Sequence, residues 1–518
     1  MISGSSSEKA GVQVGDRIMS IDGKSLTELF DLMLLGKAGF KPGDTADVTM
    51  KRDDREFTYS MTMADGYDFS EPILNFYVGD EGQWIIWHPQ GYYDASPGAD
   101  RLIGWHLNRG YDKAATYFEV QQFRKKLYRP DVINGILEKG SLEEALAALK
   151  GNQKEKEPVD FREPKIIAEY HPPVVRITSP TDNWQTESKT VTVKGEAQSV
   201  NGLPLTALTL LHNGSVAKVF RPTEINQLRM EIAYEMQLSP GNNDLVLIAA
   251  NVKSSSQGEH IVVGLNQPTS RRQMDAIVLS IGVSDFEGSL GQLTHAAADA
   301  EAFAKTMKSH ENGQLYGNVK TKLLAGKVAD NEILDGFQWL SENTKDGDVA
   351  VVFVASRGLM DRRDNFYIGA SNSNERKARS TAVSWRDLMD TLQLDLPDCK
   401  RMVFLDLEPT KNSIKPGLRN PLLDLAAPEM GTIFLSSNTL QQKPVQLASS
   451  DKSAFMRAVL ETVSDRKYDT KPGDMLFNPL ELAAGVTTRV KDLTQDQQQP
   501  IFFTPEYAKL ANVMELRK

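Results

Sequence analysis

Between residues 275 and 505, short uninterrupted apolar runs alternate with stretches of helical period, and few folds accommodate that alternation. A strand that is apolar on both faces must be covered on both. Strand–helix alternation supplies that cover as a mostly parallel sheet between two helical layers. The runs are Ala276-Ile277-Val278-Leu279-Ser280-Ile281-Gly282, then Val351-Val352-Phe353-Val354-Ala355-Ser356-Arg357-Gly358, then Arg401-Met402-Val403-Phe404-Leu405-Asp406-Leu407-Glu408, then Gly431-Thr432-Ile433-Phe434-Leu435-Ser436-Ser437. A shorter strand is expected over 320–324. Helices are expected over 294–308, 331–342, 385–392, 453–463 and 480–493. Two of the strands run from apolar residues into opposite charges, Arg357 and Glu408.

The rest of the chain divides differently. Residues 172–268 carry short strands at regular spacing, among them the alternating Thr190-Val191-Thr192-Val193-Lys194 and a run over 205–211 followed by the turn residues His212-Asn213-Gly214. They read as an immunoglobulin-like β-sandwich lacking a Cys–Trp–Cys set. Residues 67–140 form an aromatic-rich connector, in which Trp87, Tyr92, Tyr93 and Trp105 are expected to pack rather than stack on a ligand. A helix is expected over 114–128, ending at Pro130. Residues 141–171 read as a helix over 142–149 followed by a Lys/Glu-rich solvated linker over 150–163. Near the N-terminus, Ala10-Gly11-Val12-Gln13-Val14-Gly15-Asp16-Arg17-Ile18 resembles the A-G-L-x-x-G-D-x-I turn of PDZ domains. A helix over 27–35 and a strand over 46–52 extend that resemblance. Residues 1–66 are therefore read as a partial PDZ-like α+β unit. In that resemblance, the loop and strand that take up a C-terminal peptide lie before Met1. Peptide binding by this unit would need a strand from another segment.

Net charge is −10, which argues against nucleic acid or an anionic membrane as the main partner. No apolar run approaches the ~20 residues of a membrane-spanning helix. Cys399 is the sole cysteine, so the chain has no intrachain disulfide, and neither a metal nor a cofactor is expected. The chain reads as soluble: cytoplasmic as it stands, or periplasmic if its N-terminus is truncated.

The 275–505 segment resembles the bacterial caspase-like and metacaspase family in several fragments that occur in order. Ile281-Gly282-Val283-Ser284-Asp285-Phe286 is similar to I-G-V-N-x-Y. Leu293 with Ala296, Asp299 and Ala300 is similar to L-x-x-A-x-N-D-A. Phe366-Tyr367-Ile368-Gly369-Ala370 is similar to Y-L-L-P, Ala454-Phe455 with Ala458-Val459-Leu460 to G-A-F-T-x-A-L-L, and Leu493-Thr494-Gln495-Asp496-Gln497-Gln498-Gln499-Pro500 to L-T-x-G-x-Q-x-P. The resemblance implies a caspase-like α/β/α sandwich over 275–505, with residues 506–518 as a C-terminal tail.

The family's mechanism needs a histidine in S-G-H-G and a cysteine in D-x-C. Those positions hold Arg357 and Glu408 here. A guanidinium does not exchange its proton at neutral pH, and a carboxylate is a poor nucleophile toward an amide. No histidine lies near the second strand in sequence. His295 falls closest to the expected cleft and reads as a helix-start surface or packing residue, and Cys399 reads as a buried strand-end thiol. The family's preference for Arg or Lys before the cut rests on acids at the N-D-A and D-x-C positions, which correspond to Asp299 and Asp406. These acids either form a residual pocket for basic side chains, or cap helices or pair with Arg357. Arg357 and Glu408 are expected to form an ion pair in the old active site. The implied function is a catalytically inactive pseudoprotease acting as a scaffold, regulator or peptide-binding module for proteins or peptides with basic side chains. The alternative is a cysteine endopeptidase of the metacaspase class cleaving after Arg or Lys. A hydrolase using Asp406 and Glu408 as paired acids is a third reading, but no sugar site accompanies them.

Overall fold

The computed structural model describes residues 11–13, 16–25, 44–62, 72–79, 82–107, 114–149, 159–266, 273–440, 442–445, 447, 450–470, 475–509 and 512–515. The chain forms two compact units, Met1–Pro72 and Ile73–Lys518.

In the first unit four strands pair in the order Lys24–Ser25, Arg17–Ile21, Thr45–Arg52, Arg55–Thr62. Asp22 and Gly23 both adopt positive φ, as a tight hairpin turn requires. Arg52 donates from both Nε and Nη2 to the two oxygens of Asp16, at 2.6 and 2.7 Å, which holds the Asp16 carboxyl down to about 2. The expected strand over 46–52 is present, one residue longer at its start. The expected helix over 27–35 lies outside the described residues.

The second unit begins with an aromatic core. Trp105 lies 5.5 Å from Phe123 and 5.2 Å from Phe161, centroid to centroid, while Tyr92 and Tyr93 are buried. The aromatic quartet is therefore packing. Three expectations need correction. Residues 114–128 are not one helix, because Thr116–Glu119 pairs as a strand with Gly104–Leu107 and only Arg124–Leu127 is α-helical. Pro130 does not end that helix but opens the next, Pro130–Lys139, where its missing N–H costs nothing. The end of the expected linker is not solvated either: Val159 and Phe161 are buried in the aromatic core together with helix Leu142–Leu149. Residues 150–158 lie outside the described residues.

Residues 174–265 form two sheets around one apolar cluster. One sheet has the order Val174–Ser179, Thr190–Gln198, Arg229–Gln237. The other runs Trp184–Thr186, Glu259–Leu265, Gly241–Asn251, Leu205–His212, Ser215–Phe220. Asn213 and Gly214, both at positive φ, make the hairpin turn between the last two strands.

The C-terminal part is the expected mixed sheet. Its strands are β1 (Met274–Val283), β2 (Tyr316–Gly326), β3 (Val349–Met360), β4 (Lys400–Pro409), β5 (Ile433–Ser436) and β6 (Ile501–Phe503). The order is 2-1-3-4-5-6, with β6 antiparallel and the others parallel. Helices α1 (Ala296–Lys308), α3 (Ala454–Thr462) and α4 (Pro479–Thr494) cover one face, packing on Val351, Phe353, Met402 and Phe404. Helix α2 (Asp330–Asn343) and Trp385–Asp390 cover the other, against Val352, Val354, Val403 and Leu405. The alternation of β3 and β4 residues between two cores is why both strands read as uninterrupted apolar runs. The expected tail over 506–518 is corrected for its described part. Val513 and Met514 are buried, Met514–Glu515 pairs with Leu476–Phe477, and the Glu515 carboxylate accepts from the backbone N–H of Gln314 and Leu315.

The aromatic region and the α/β region share a core. Leu423, from the segment after β4, is fully buried among the aromatic residues, and Arg124 donates to the Leu423 carbonyl. Leu423→Ala should therefore cost about 2–5 kcal/mol. Denaturant unfolding followed by tryptophan fluorescence checks this. An unchanged midpoint would mean that the two cores are independent.

Candidate functional site

In a parallel pair, register decides which side chains meet. Ala355 lies opposite Asp406 and Arg357 opposite Glu408. Strand side chains alternate, so all four share the face covered by α1, α3 and α4. They sit at the C-terminal ends of β3 and β4, next to the point where chain order reverses between β2 and β3 around β1. In open α/β sheets that crevice is where ligands bind.

The Arg357 guanidinium bridges this crevice. Nη1 donates to Glu408 Oε1 at 3.2 Å, and Nη2 donates to the Gln292 carbonyl at 3.3 Å. The guanidinium carbon lies 5.7 Å from the Phe286 ring centroid. Both side chains are mostly buried, at 14% and 20% exposure. Arg357 Nε is buried without a hydrogen-bond partner among the described residues. The expected ion pair is present, and its long contact and partial burial mark it as an interaction in which desolvation offsets much of the attraction.

Asp299 projects from the first turn of α1 and is buried. Its two oxygens accept from the Ser453 backbone N–H at 3.2 and 3.3 Å, at the residue that caps α3. Asp406 is buried beside it, with the Ser437 and Ser453 hydroxyls within hydrogen-bonding reach. Ser453 also lies within side-chain reach of Asp299, yet its hydroxyl has one proton to give. Burial first, and the nearby Asp406 charge second, push the Asp299 carboxyl up to about 8. Burial likewise raises Asp406, with Glu408 adding to the effect and the two serine hydroxyls and His295 opposing it. The structure thus brings Asp299 and Asp406 together around the N-terminus of α3. No hydrogen bond joins either acid to Arg357 among the described contacts.

His295 is half-buried just before α1, and its carbonyl accepts from the Asp299 N–H. Cys399 is buried at the opposite end of β4, and burial pushes its thiol up to about 11. Nine residues of strand, ~30 Å, separate it from Glu408. Sequence reasoning missed the contribution of Ser453 and Ser437. The capping pattern of a serine before the apolar helix 454–462 was the available signal.

Residues 275–510 match the family described as Caspase domain, and residues 2–62 match the PDZ domain. The chain thus carries a PDZ domain at its N-terminus and a caspase-like domain over 275–510. No curated protein matches the chain. Among solved structures, a Geobacter sulfurreducens protein studied as a structural-genomics target is similar, at 13% identity and TM-score 0.32, over 45% of this chain and 97% of that one. Fibronectin(III)-like modules of CbhA from Clostridium thermocellum are similar at 19% identity and TM-score 0.16, over 18% of this chain and 98% of that one. At these scores neither defines the fold. No helix among the described residues is long and apolar enough to cross a membrane.

The acid pair has a pH signature. A carboxyl whose folded value is raised from 3.8 to about 8 favours the native state while protonated. That stability is present below pH 4 and is lost as pH rises through 8. Asp299→Asn should therefore flatten the decline in stability between pH 4 and 8, by about 2–5 kcal/mol at its upper end. Urea midpoints across that range check it. A parallel decline in wild type and variant would exclude Asp299 as the source.

Proposed function

We propose that this chain is a caspase-like protein that does not cut, acting as a scaffold, regulator or peptide-binding module for partners that present arginine or lysine. The observation that carries this reading is the Arg357–Glu408 pair, which fills the crevice where the family resemblance places a histidine and a cysteine. Neither side chain can perform the exchange between thiolate and imidazole. The two acids that the resemblance assigns to recognition of basic residues, Asp299 and Asp406, still converge beside it. A buried acid pair with raised pKa values gains from a cation, because a cation stabilises the ionised form that burial disfavours.

In this reading the domain plan is a PDZ-like unit over 1–66, an aromatic-rich region over 67–140, a segment over 141–171 whose described part packs on that region, an immunoglobulin-like sandwich over 172–268 and the caspase-like domain over 275–505. The sandwich assignment is supported by two sheets enclosing one apolar cluster. The alternative is a cysteine endopeptidase of the metacaspase class. It is favoured by the retained acids and opposed by both dyad positions.

Fluorogenic Arg- and Lys-containing peptides separate the two, with and without calcium. The wild type should show no turnover and should bind the uncut peptide, and the double variant Asp299→Asn, Asp406→Asn should weaken binding at least tenfold. Wild-type turnover would sink the pseudoprotease reading, and equal binding by wild type and double variant would remove the acids from it. Arg357→His combined with Glu408→Cys is the further arm: cleavage gained there would place the lost dyad at these two positions.

A further inference from the structure

Away from the crevice, the hairpin Leu205–His212 and Ser215–Phe220 meets the caspase-like domain at the N-terminal end of β4. The turn is held by close backbone approach. A Cβ on Gly214 would meet the Ala508 nitrogen at 2.8 Å, and one on Gly431 would meet the Val216 nitrogen at 2.8 Å. At this contact the buried His212 places Nδ1 2.9 Å from Asp398 Oδ2, across 186 residues of sequence. Its Nε2 lies 2.9 Å from Asn243 Oδ1.

The Asn243 amide cannot be turned around. Its Nδ2 faces the carbonyls of Ser239, Gly241 and Val263, and its Oδ1 accepts from the Ser239 N–H. Both ring nitrogens of His212 therefore face an oxygen acceptor, and only the imidazolium donates to both at once. Asn213 Nδ2 stands 3.1 Å from the same Nε2, with its own Oδ1 accepting from the Asp244 N–H. Loss of the ring proton would leave the Nε2 lone pair to Asn213 and set it against Asn243 Oδ1, which its four bonds fix in place.

We propose that His212 and Asp398 form a proton-dependent latch that docks the sandwich onto the caspase-like domain, closed when His212 is charged and loosened when it is neutral. The groups around it carry both signs, with the acids nearest the ring. Asp244 faces it from strand Gly241–Asn251, and Asp346 lies behind Asp398, accepting from the Asp398 N–H at 3.2 Å. Lys218, Arg221 and Tyr234 line the adjacent cleft with Asp346 and Asp398. Lys400 is half-buried two residues beyond Asp398. A second histidine adjoins the contact: His260 bonds Asp244 at 2.8 Å and stacks on Tyr507 at 4.4 Å. Glu506 and Lys509 pair beside that tyrosine.

Burial alone would lower the His212 value. The Asp398 carboxylate, with Asn243 and Asp244, outweighs it and raises the value above 6.5. The latch's contribution is accordingly complete below pH 6.5 and is lost as pH rises through the raised value.

Hydrogen exchange of the full chain between pH 6 and 9, corrected for intrinsic rates, tests this. In wild type, amides over 205–220 and 396–402 should lose at least tenfold protection, with a midpoint above 6.5. Asp398→Asn, which keeps an acceptor and removes the charge, should move that midpoint down by at least one pH unit. His212→Gln should give low protection that does not change with pH. Protection that is constant with pH in wild type, or a midpoint unmoved in Asp398→Asn, overturns the latch. The Asp398→Asn arm decides the matter even if His212→Gln fails to fold.

Discussion

The pairing of β3 with β4 is the constraint on which the site depends. Ten consecutive residue pairs run in unbroken parallel register from Val349 opposite Lys400 to Gly358 opposite Pro409. A slip of one residue would send Arg357, Asp406 and Glu408 to opposite faces and break both cores at once. The register is therefore enforced by apolar packing on both sides of the sheet. The Arg357–Glu408 bond follows from that geometry and does not create it. The approach of α1 depends equally on a small residue: Gly282, near the end of β1, leaves no room for a Cβ beneath the Ala296 carbonyl, and that closeness brings Asp299 over the strand ends.

The two acids pose a physical problem that the fold solves only in part. Helix α3 points its N-terminus at them, and the positive end of its dipole favours negative charge there. Ser453 offers one backbone N–H and one hydroxyl proton to two buried carboxyls. Both acids nonetheless remain raised, because burial, with the Asp406 charge acting on Asp299 and the Glu408 charge on Asp406, exceeds what one helix end and two serines supply. Capping thus accounts for where Asp299 points, but leaves the pair short of positive charge, and Arg357 is committed instead to Glu408 and the Gln292 carbonyl.

Much of this was legible because it is local. Apolar runs of strand length separated by helical periods define the sheet, and a two-residue charge spacing places Asp406 and Glu408 on one face. The Asn213–Gly214 turn is written in its own residues. Most of the failures involve partners distant in sequence. The exception is Thr116–Glu119, which pairs with the nearby Gly104–Leu107 where a helix is expected. Phe161 sits at the edge of a charged stretch and is buried only because Trp105, Phe123 and Tyr170 surround it. Leu423 and His212 find partners 299 and 186 residues away. Ser453 was visible as a helix cap, but not as the group shared by two acids from different strands and helices.

Strand β4 is held from both ends by segments that precede the domain. Asp398, before its first residue, meets His212 of the sandwich. Beyond its last residue, Leu423 is buried in the aromatic core, and the Asn420 N–H donates to the Tyr128 hydroxyl at 2.9 Å. The strand carrying Asp406 and Glu408 is thus fixed by the sheet along its length, and the segments leading into and out of it contact two other modules. Under the proposed reading, such placement would cost little entropy when a partner binds. It also makes the sandwich and the aromatic region more than spacers: displacing either would loosen an end of the one strand that supplies both carboxylates at the crevice.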